Sequence, residues 1–147
     1  MPKIDFYLIP TSSEKERLAF ACRLVEKIYK QQRRIYIHTE NETAAHQLDE
    51  LLWTYSADSF LPHHLYGEGP DPAPPIQIGY SVVPDKHRDV LINLCPLVPA
   101  FYPQFTRILE LISHEPAVTT AGRERYKLYR AQGHDITTHK LETATEV

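Results

Sequence analysis

The feature that most constrains this chain is the change of hydrophobic period along its first third. Ile4 to Ile9 is a short apolar run closed by Pro10, which suits a buried strand, and Ser13-x-x-Glu16 then supplies a capping box for a helix start. Beyond it Leu18, Ala21, Cys22, Val25, Ile28 and Tyr29 recur at three and four residues. This spacing predicts a helix with one face on a sheet, leaving Glu14, Arg17, Arg23, Glu26, Lys27 and Lys30 in water. Ile35-Tyr36-Ile37 reads as a second strand, and a second helix from about Glu42 carries Ala45, Leu48, Leu51 and Leu52 inward before Trp53. Strand, helix, strand, helix restricts the chain to an α/β fold, expected as a Rossmann-like, three-layer arrangement with a mostly parallel or mixed sheet between helices.

Prolines at 70, 72, 74, 75, 84, 96, 99 and 103 cut the middle into short pieces, leaving room for strands near Ile76 to Ile78 and Val90 to Leu94. Pro103 can open a brief helix, Leu109 to Ile112 reads as a further strand, and a last helix from about Val118 leads to Gly133 and a short strand around Ile136. The 147 residues are expected to form one domain, 1–147. A chain of this size buries roughly two thirds of its unfolded surface and folds without a disulfide or metal. The two cysteines, Cys22 and Cys95, fit no metal or redox spacing. No apolar run approaches the roughly 20 residues of a membrane span and the start lacks a signal-peptide pattern, so a cytoplasmic protein is expected. A net charge of -3 argues against direct, specific nucleic-acid binding.

An α/β chain invites a nucleotide-dependent enzyme as the alternative reading. That site needs glycines where backbone approaches phosphate at a helix N-terminus. Here the first strand reaches its helix through Pro10-Thr11-Ser12-Ser13, and Gly67-Glu68-Gly69 runs into Pro70, so neither a Walker loop nor a GxGxxG is present. No cofactor is expected. His63-His64 reads as a pair of loop histidines and not as a metal site, and no serine has an identifiable base and orienter, so no metal ligand or catalytic residue is assigned.

Two blocks carry recognition chemistry. Trp53, Tyr55, Phe60 and Leu61 crowd a helix end and the loop after it. The residues alone leave Trp53 either as a core plug or as an interface anchor. In Arg123-Glu124-Arg125-Tyr126-Lys127-Leu128-Tyr129-Arg130, a helical turn of about 100° per residue places Arg123, Lys127 and Arg130 within about 60° of one another, with Tyr126 at the edge of that arc. Val118, Ala121, Leu128 and Tyr129 are expected on the opposite, sheet-facing side. Gly122 costs such a helix about 1 kcal/mol relative to alanine, and Arg125 falls inside the inward arc. Either the helix starts later than Val118, or Arg125 pairs with a buried acid.

Taken in order, the strand Phe6-Tyr7-Leu8, the block Leu48-Asp49-Glu50-Leu51-Leu52-Trp53, Gly67-Glu68-Gly69-Pro70, Asp89-x-Leu91-Ile92 and the run from Arg123 to Arg130 make a pattern. It resembles the chi subunit of bacterial DNA polymerase III over nearly the whole chain. The resemblance implies a non-catalytic adaptor of the replicative polymerase. Its surface at Trp53, Phe60 and Leu61 would engage the psi subunit in a 1:1 heterodimer and, through psi, the clamp loader. Arg123, Tyr126, Lys127 and Arg130 would take the C-terminal tail of single-stranded DNA-binding protein, an acidic stretch ending in an apolar dipeptide and a free carboxylate. Arginines would meet the carboxylates and an adjacent apolar pocket, with Val118 as a wall, the terminal ring.

Overall fold

The computed structural model describes residues 2–55, 61–66, 74–80 and 89–144. The expected strands near both termini and in the middle meet in one seven-stranded sheet. The elements are β1 (Lys3–Leu8), α1 (Glu14–Tyr29), β2 (Ile35–His38), α2 (Glu42–Thr54), β3 (His63–Leu65), β4 (Ile76–Gly79), β5 (Val90–Asn93), a 3₁₀ turn (Tyr102–Gln104), β6 (Arg107–Ile112), α3 (Pro116–Ala131) and β7 (Ile136–Lys140). Strand order is β3-β4-β2-β5-β6-β1-β7, and every pairing is parallel. Parallel strands need crossovers that cover both faces, which explains why the inner strands are apolar nearly throughout.

Side chains alternate across the sheet. Ile35 and Ile37 of β2, with Leu109 and Leu111 of β6, pack in one layer with α1 and α2. Tyr36, Ile4, Phe6, Ile108 and Ile112 face the other layer, which holds α3 and the 3₁₀ turn. This is the three-layer α/β fold read from the sequence. Half of the capping box forms: Ser13 Oγ accepts from the Glu16 amide, while the Ser13 amide donates to Thr11 Oγ1 at 3.1 Å in place of the Glu16 carboxylate. Helix α3 begins two residues before Val118, because Glu115 accepts from the Val118 amide and Pro116 takes the first turn. It ends at Gly133, whose φ of 81° suits a residue without a β-carbon.

Several expectations are corrected. Strand β6 starts at Arg107, not Leu109, since Lys3 and Val90 both pair with that residue. Arg17, expected in water, is 4 % exposed. Its Nε donates to the Leu111 carbonyl at the end of β6, and Nη1 reaches the Glu14 carboxylate at 3.0 Å. Leu128, expected inward, is 42 % exposed, while Phe20 and Leu24 fill the α1 face. The His63-His64 pair is not a loop: it forms most of β3, where His63 is buried. Phe60, Gly67-Glu68-Gly69 and the prolines at 70, 72 and 84 lie outside the described residues.

Candidate functional site

The stripe on α3 borders a cavity that the sequence did not outline. Arg123, Lys127 and Arg130 are exposed, and Tyr126 is half-buried with its ring edge-on to Phe6 at 5.3 Å. Beside them lies a cavity of about 330 Å³, lined by Phe6 and Leu8 of β1, Ile112 of β6, Thr138 of β7, and Thr119, Gly122, Arg123 and Tyr126 of α3. That volume is near the lower end of small-ligand sites. Gly122 lets α3 lie close on β6, since a side chain there would meet Ile112. Of the four residues assigned to this site, Arg123 and Tyr126 line the cavity. Lys127 is 73 % exposed and pairs with Glu124 at 3.3 Å, and Arg130 stands in the last turn outside the lining. The site is thus an apolar notch with a guanidinium at its rim.

Val118 is not a wall of this notch. It lines a second cavity, of about 440 Å³, with Glu14, Arg17, Glu40, Cys95, Glu115 and Arg125. This crevice lies beyond the carboxyl ends of the strands, where α/β proteins hold nucleotides. Here no glycine-rich turn leads into α1, and three carboxylates line the space. Both of its arginines are engaged, Arg17 as described and Arg125 through Nε to Glu110 Oε1 at 2.9 Å and Nη1 to the Pro96 carbonyl at 2.8 Å. Of the two readings the residues left open for Arg125, the buried acid holds.

Glu110 sits at the centre of the α3-facing layer with no solvent access. Asn93 Nδ2 at 3.0 Å and the Tyr129 hydroxyl at 2.7 Å both donate to its Oε2. Burial pushes the Glu110 carboxyl up against the pull of Arg125, Asn93 and Tyr129, and burial beside Glu110 pushes the Tyr129 phenol up. This network fixes α3 on β6 and so sets where the exposed stripe faces. Cys95 is buried, and desolvation pushes its thiol up to about 12; Cys22, on α1, is likewise pushed up to about 12. Both are unreactive thiols.

At the far edge of the sheet, Trp53 is 47 % exposed on the last turn of α2 and rests on His63, with ring centres 4.2 Å apart. Leu61 is 3 % exposed and belongs to the core. Of the residues assigned to this surface, the one the described structure offers to a partner is therefore Trp53.

Among the described residues no cluster of three or more His, Cys, Asp or Glu side chains could hold a metal ion, and no helix is long and apolar enough to cross a membrane.

The fold is that of an open, all-parallel α/β protein, with an apolar notch beside α3 and an exposed indole on α2. Comparison with known proteins narrows the class. The model of the DNA polymerase III chi subunit family matches residues 1–137. DNA polymerase III subunit chi of Pseudomonas aeruginosa is 40 % identical over 141 residues, covering 96 % of this chain and 98 % of that protein. The subunits chi of Escherichia coli K12 and Haemophilus influenzae are each 33 % identical, over 146 and 138 residues, covering 94 % and 93 % of this chain and 97 % and 96 % of theirs. The solved structure of T4 UvsW shares the fold at a TM-score of 0.69 with 8 % identity; the match covers 95 % of this chain and 41 % of the UvsW chain. The chain belongs to the DNA polymerase III chi subunit family.

Proposed function

We propose that the chain is a non-catalytic accessory subunit of the DNA polymerase III holoenzyme, linking the clamp loader, through psi, to the C-terminal tail of single-stranded DNA-binding protein. The observation that carries the second contact is the notch between α3 and the sheet. A tail ending in an aromatic residue needs an apolar hollow for the ring and a cation for the free carboxylate. Phe6, Leu8 and Ile112 supply the first and Arg123 the second. Lys127 and Arg130 continue the cationic flank and suit the acidic residues upstream in the tail. In this reading the psi contact rests on Trp53 and on Phe60, while Leu61, assigned to the same surface, belongs to the core. An exposed indole at a helix end is a common hot-spot residue.

Fluorescence anisotropy with a labelled tail peptide tests the notch. Each charge-assisted hydrogen bond lost costs roughly 1.5 to 3 kcal/mol, so Arg123→Glu, which also adds repulsion, should nearly abolish binding. Removing the terminal phenylalanine of the peptide should do the same. Equal affinity for intact and truncated peptide, or an unaffected Arg123→Glu protein, would place the site elsewhere.

A further inference from the structure

His63 is buried beneath Trp53 with an unusual set of neighbours. Its side chain has no solvent exposure; Nδ1 stands 2.6 Å from the Leu61 carbonyl oxygen, and Nε2 stands 3.1 Å from the Asp49 carbonyl oxygen and 3.4 Å from the Asp49 carboxylate. All three are acceptors. A neutral imidazole carries one N–H and can donate to one side, so both contacts form only when both ring nitrogens are protonated. The Asp49 carbonyl is also the one on which the Trp53 amide closes in an α-helix. His63 therefore grips the hydrogen-bonded turn from which Trp53 projects. A cationic ring 4.2 Å from the indole is further held by the indole quadrupole.

We infer that His63 is a positioning residue: its doubly protonated ring clamps the last turn of α2 and holds the Trp53 indole in place on the surface, which makes that surface pH-dependent. Among the described residues, Asp49 is the ionisable group that faces it from α2. From β4 the paired residues are Ile76 and Gln77, both uncharged. On β3 itself the neighbouring His64 alternates to the other side of the sheet. Loss of one proton turns a lone pair toward a carbonyl oxygen, and the weaker hold, on Asp49, opens. The partner-binding consequence rests on the docking reading of Trp53; the clamp itself does not.

Trp53 is the sole tryptophan of the chain, so intrinsic fluorescence reports on this contact directly. An imidazolium against an indole quenches its emission, and a neutral ring does so less. The test is a titration of the full chain across roughly pH 5 to 9, with the ring protonation of nitrogen-15-labelled histidines followed in parallel by NMR. Emission should rise by roughly two-fold along the curve traced by the His63 ring as the cation and its hold on the indole are lost. The step should persist in His64→Gln and His46→Gln and vanish in His63→Gln. Flat emission while His63 loses its proton, or a step that survives in a folded His63→Gln protein, overturns the inference. Should His63→Gln fail to fold, the wild-type NMR decides: a His63 ring in a single protonation state across the range overturns the pH dependence. Binding of psi should weaken over the same pH interval. A Trp53→Ala protein that binds psi normally removes the docking reading, while the fluorescence still decides whether His63 holds the indole.

Discussion

Gly122 passes so close to Ile112 that a β-carbon on Gly122 would stand 2.6 Å from Ile112 Cδ1. Both residues line the notch beside Arg123. The glycine that weakens α3 as a helix lets it pack closely on Ile112, beside the hollow that a terminal ring would fill. Gly122→Ala should therefore separate stability from binding. Alanine gains about 1 kcal/mol of helix propensity, and the displaced atom is the free end of a side chain, so the melting temperature should change by only a few degrees. Affinity for the tail peptide should fall at least several-fold, because the added methyl group and the displaced Ile112 occupy the cavity. Thermal melts beside anisotropy titrations check both halves.

The Arg125–Glu110 pair makes a second expectation. Arg125 is 3 % exposed and Glu110 fully buried, so removing the cation alone strands a buried carboxyl. Arg125→Met should cost about 3 to 5 kcal/mol. Adding Glu110→Gln should recover much of that loss, since a carboxamide needs no counter-charge and still meets Asn93 and Tyr129. Urea unfolding of the single and double variants provides the comparison. Equal stability of the single variant and wild type would show that the pair contributes nothing to docking α3.

Asp5 is the acid whose titration should limit stability at low pH. It is 1 % exposed, takes Arg107 Nε at 2.7 Å and lies 2.9 Å from His139 Nε2. Burial alone would raise its carboxyl, but the hydrogen bonds and charges of Arg107 and His139 outweigh this, and the net direction is below the ordinary 3.8. A carboxyl lowered by folding stabilises the protein above its unfolded pKa, and that contribution disappears as pH falls through the lower folded value. Unfolding free energy should drop as pH falls below about 4, and Asp5→Asn should flatten that part of the curve while lowering stability at neutral pH. Urea titrations at a series of pH values measure it.

For the proposed psi surface, Trp53→Ala should weaken the complex by about 2 kcal/mol or more. Its effect on the melt should be smaller than that of Leu48→Ala, a core truncation on the same helix. A pull-down with psi and a thermal melt on the same samples distinguish the two roles. A large loss of stability with normal psi binding would assign Trp53 to packing.

The sequence shows the layers of this fold because its periods are local. Ser13 as the cap of α1, most of the α1 and α2 apolar stripes and Gly133 after α3 depend on neighbours a few residues away, and these occur as read. What it conceals depends on distant partners. Arg17 looks like a solvated helix residue until the Leu111 carbonyl, far along the chain, takes its Nε. Leu128 looks inward until Arg125 and Tyr129 take the sheet-facing arc to reach Glu110. The candidate site divides in the same way. The cationic stripe is legible from helical spacing, whereas the notch is built by β1, β6 and β7 meeting α3, and its sign in the sequence, Gly122, reads there only as a cost. His63 is hidden for a related reason: two adjacent histidines suggest a loop, and only the pairing of β3 with β4 buries one of them.

An adaptor must hold both partners at once, and α3 and Trp53 lie on separate elements of the molecule. The most direct measurement is anisotropy of the labelled tail peptide titrated with protein already saturated with psi. Unchanged peptide affinity, together with a single sedimenting species containing all three components, is the expected result. Displacement of the peptide by psi, or peptide binding that Arg123→Glu leaves intact, would contradict the two-surface adaptor.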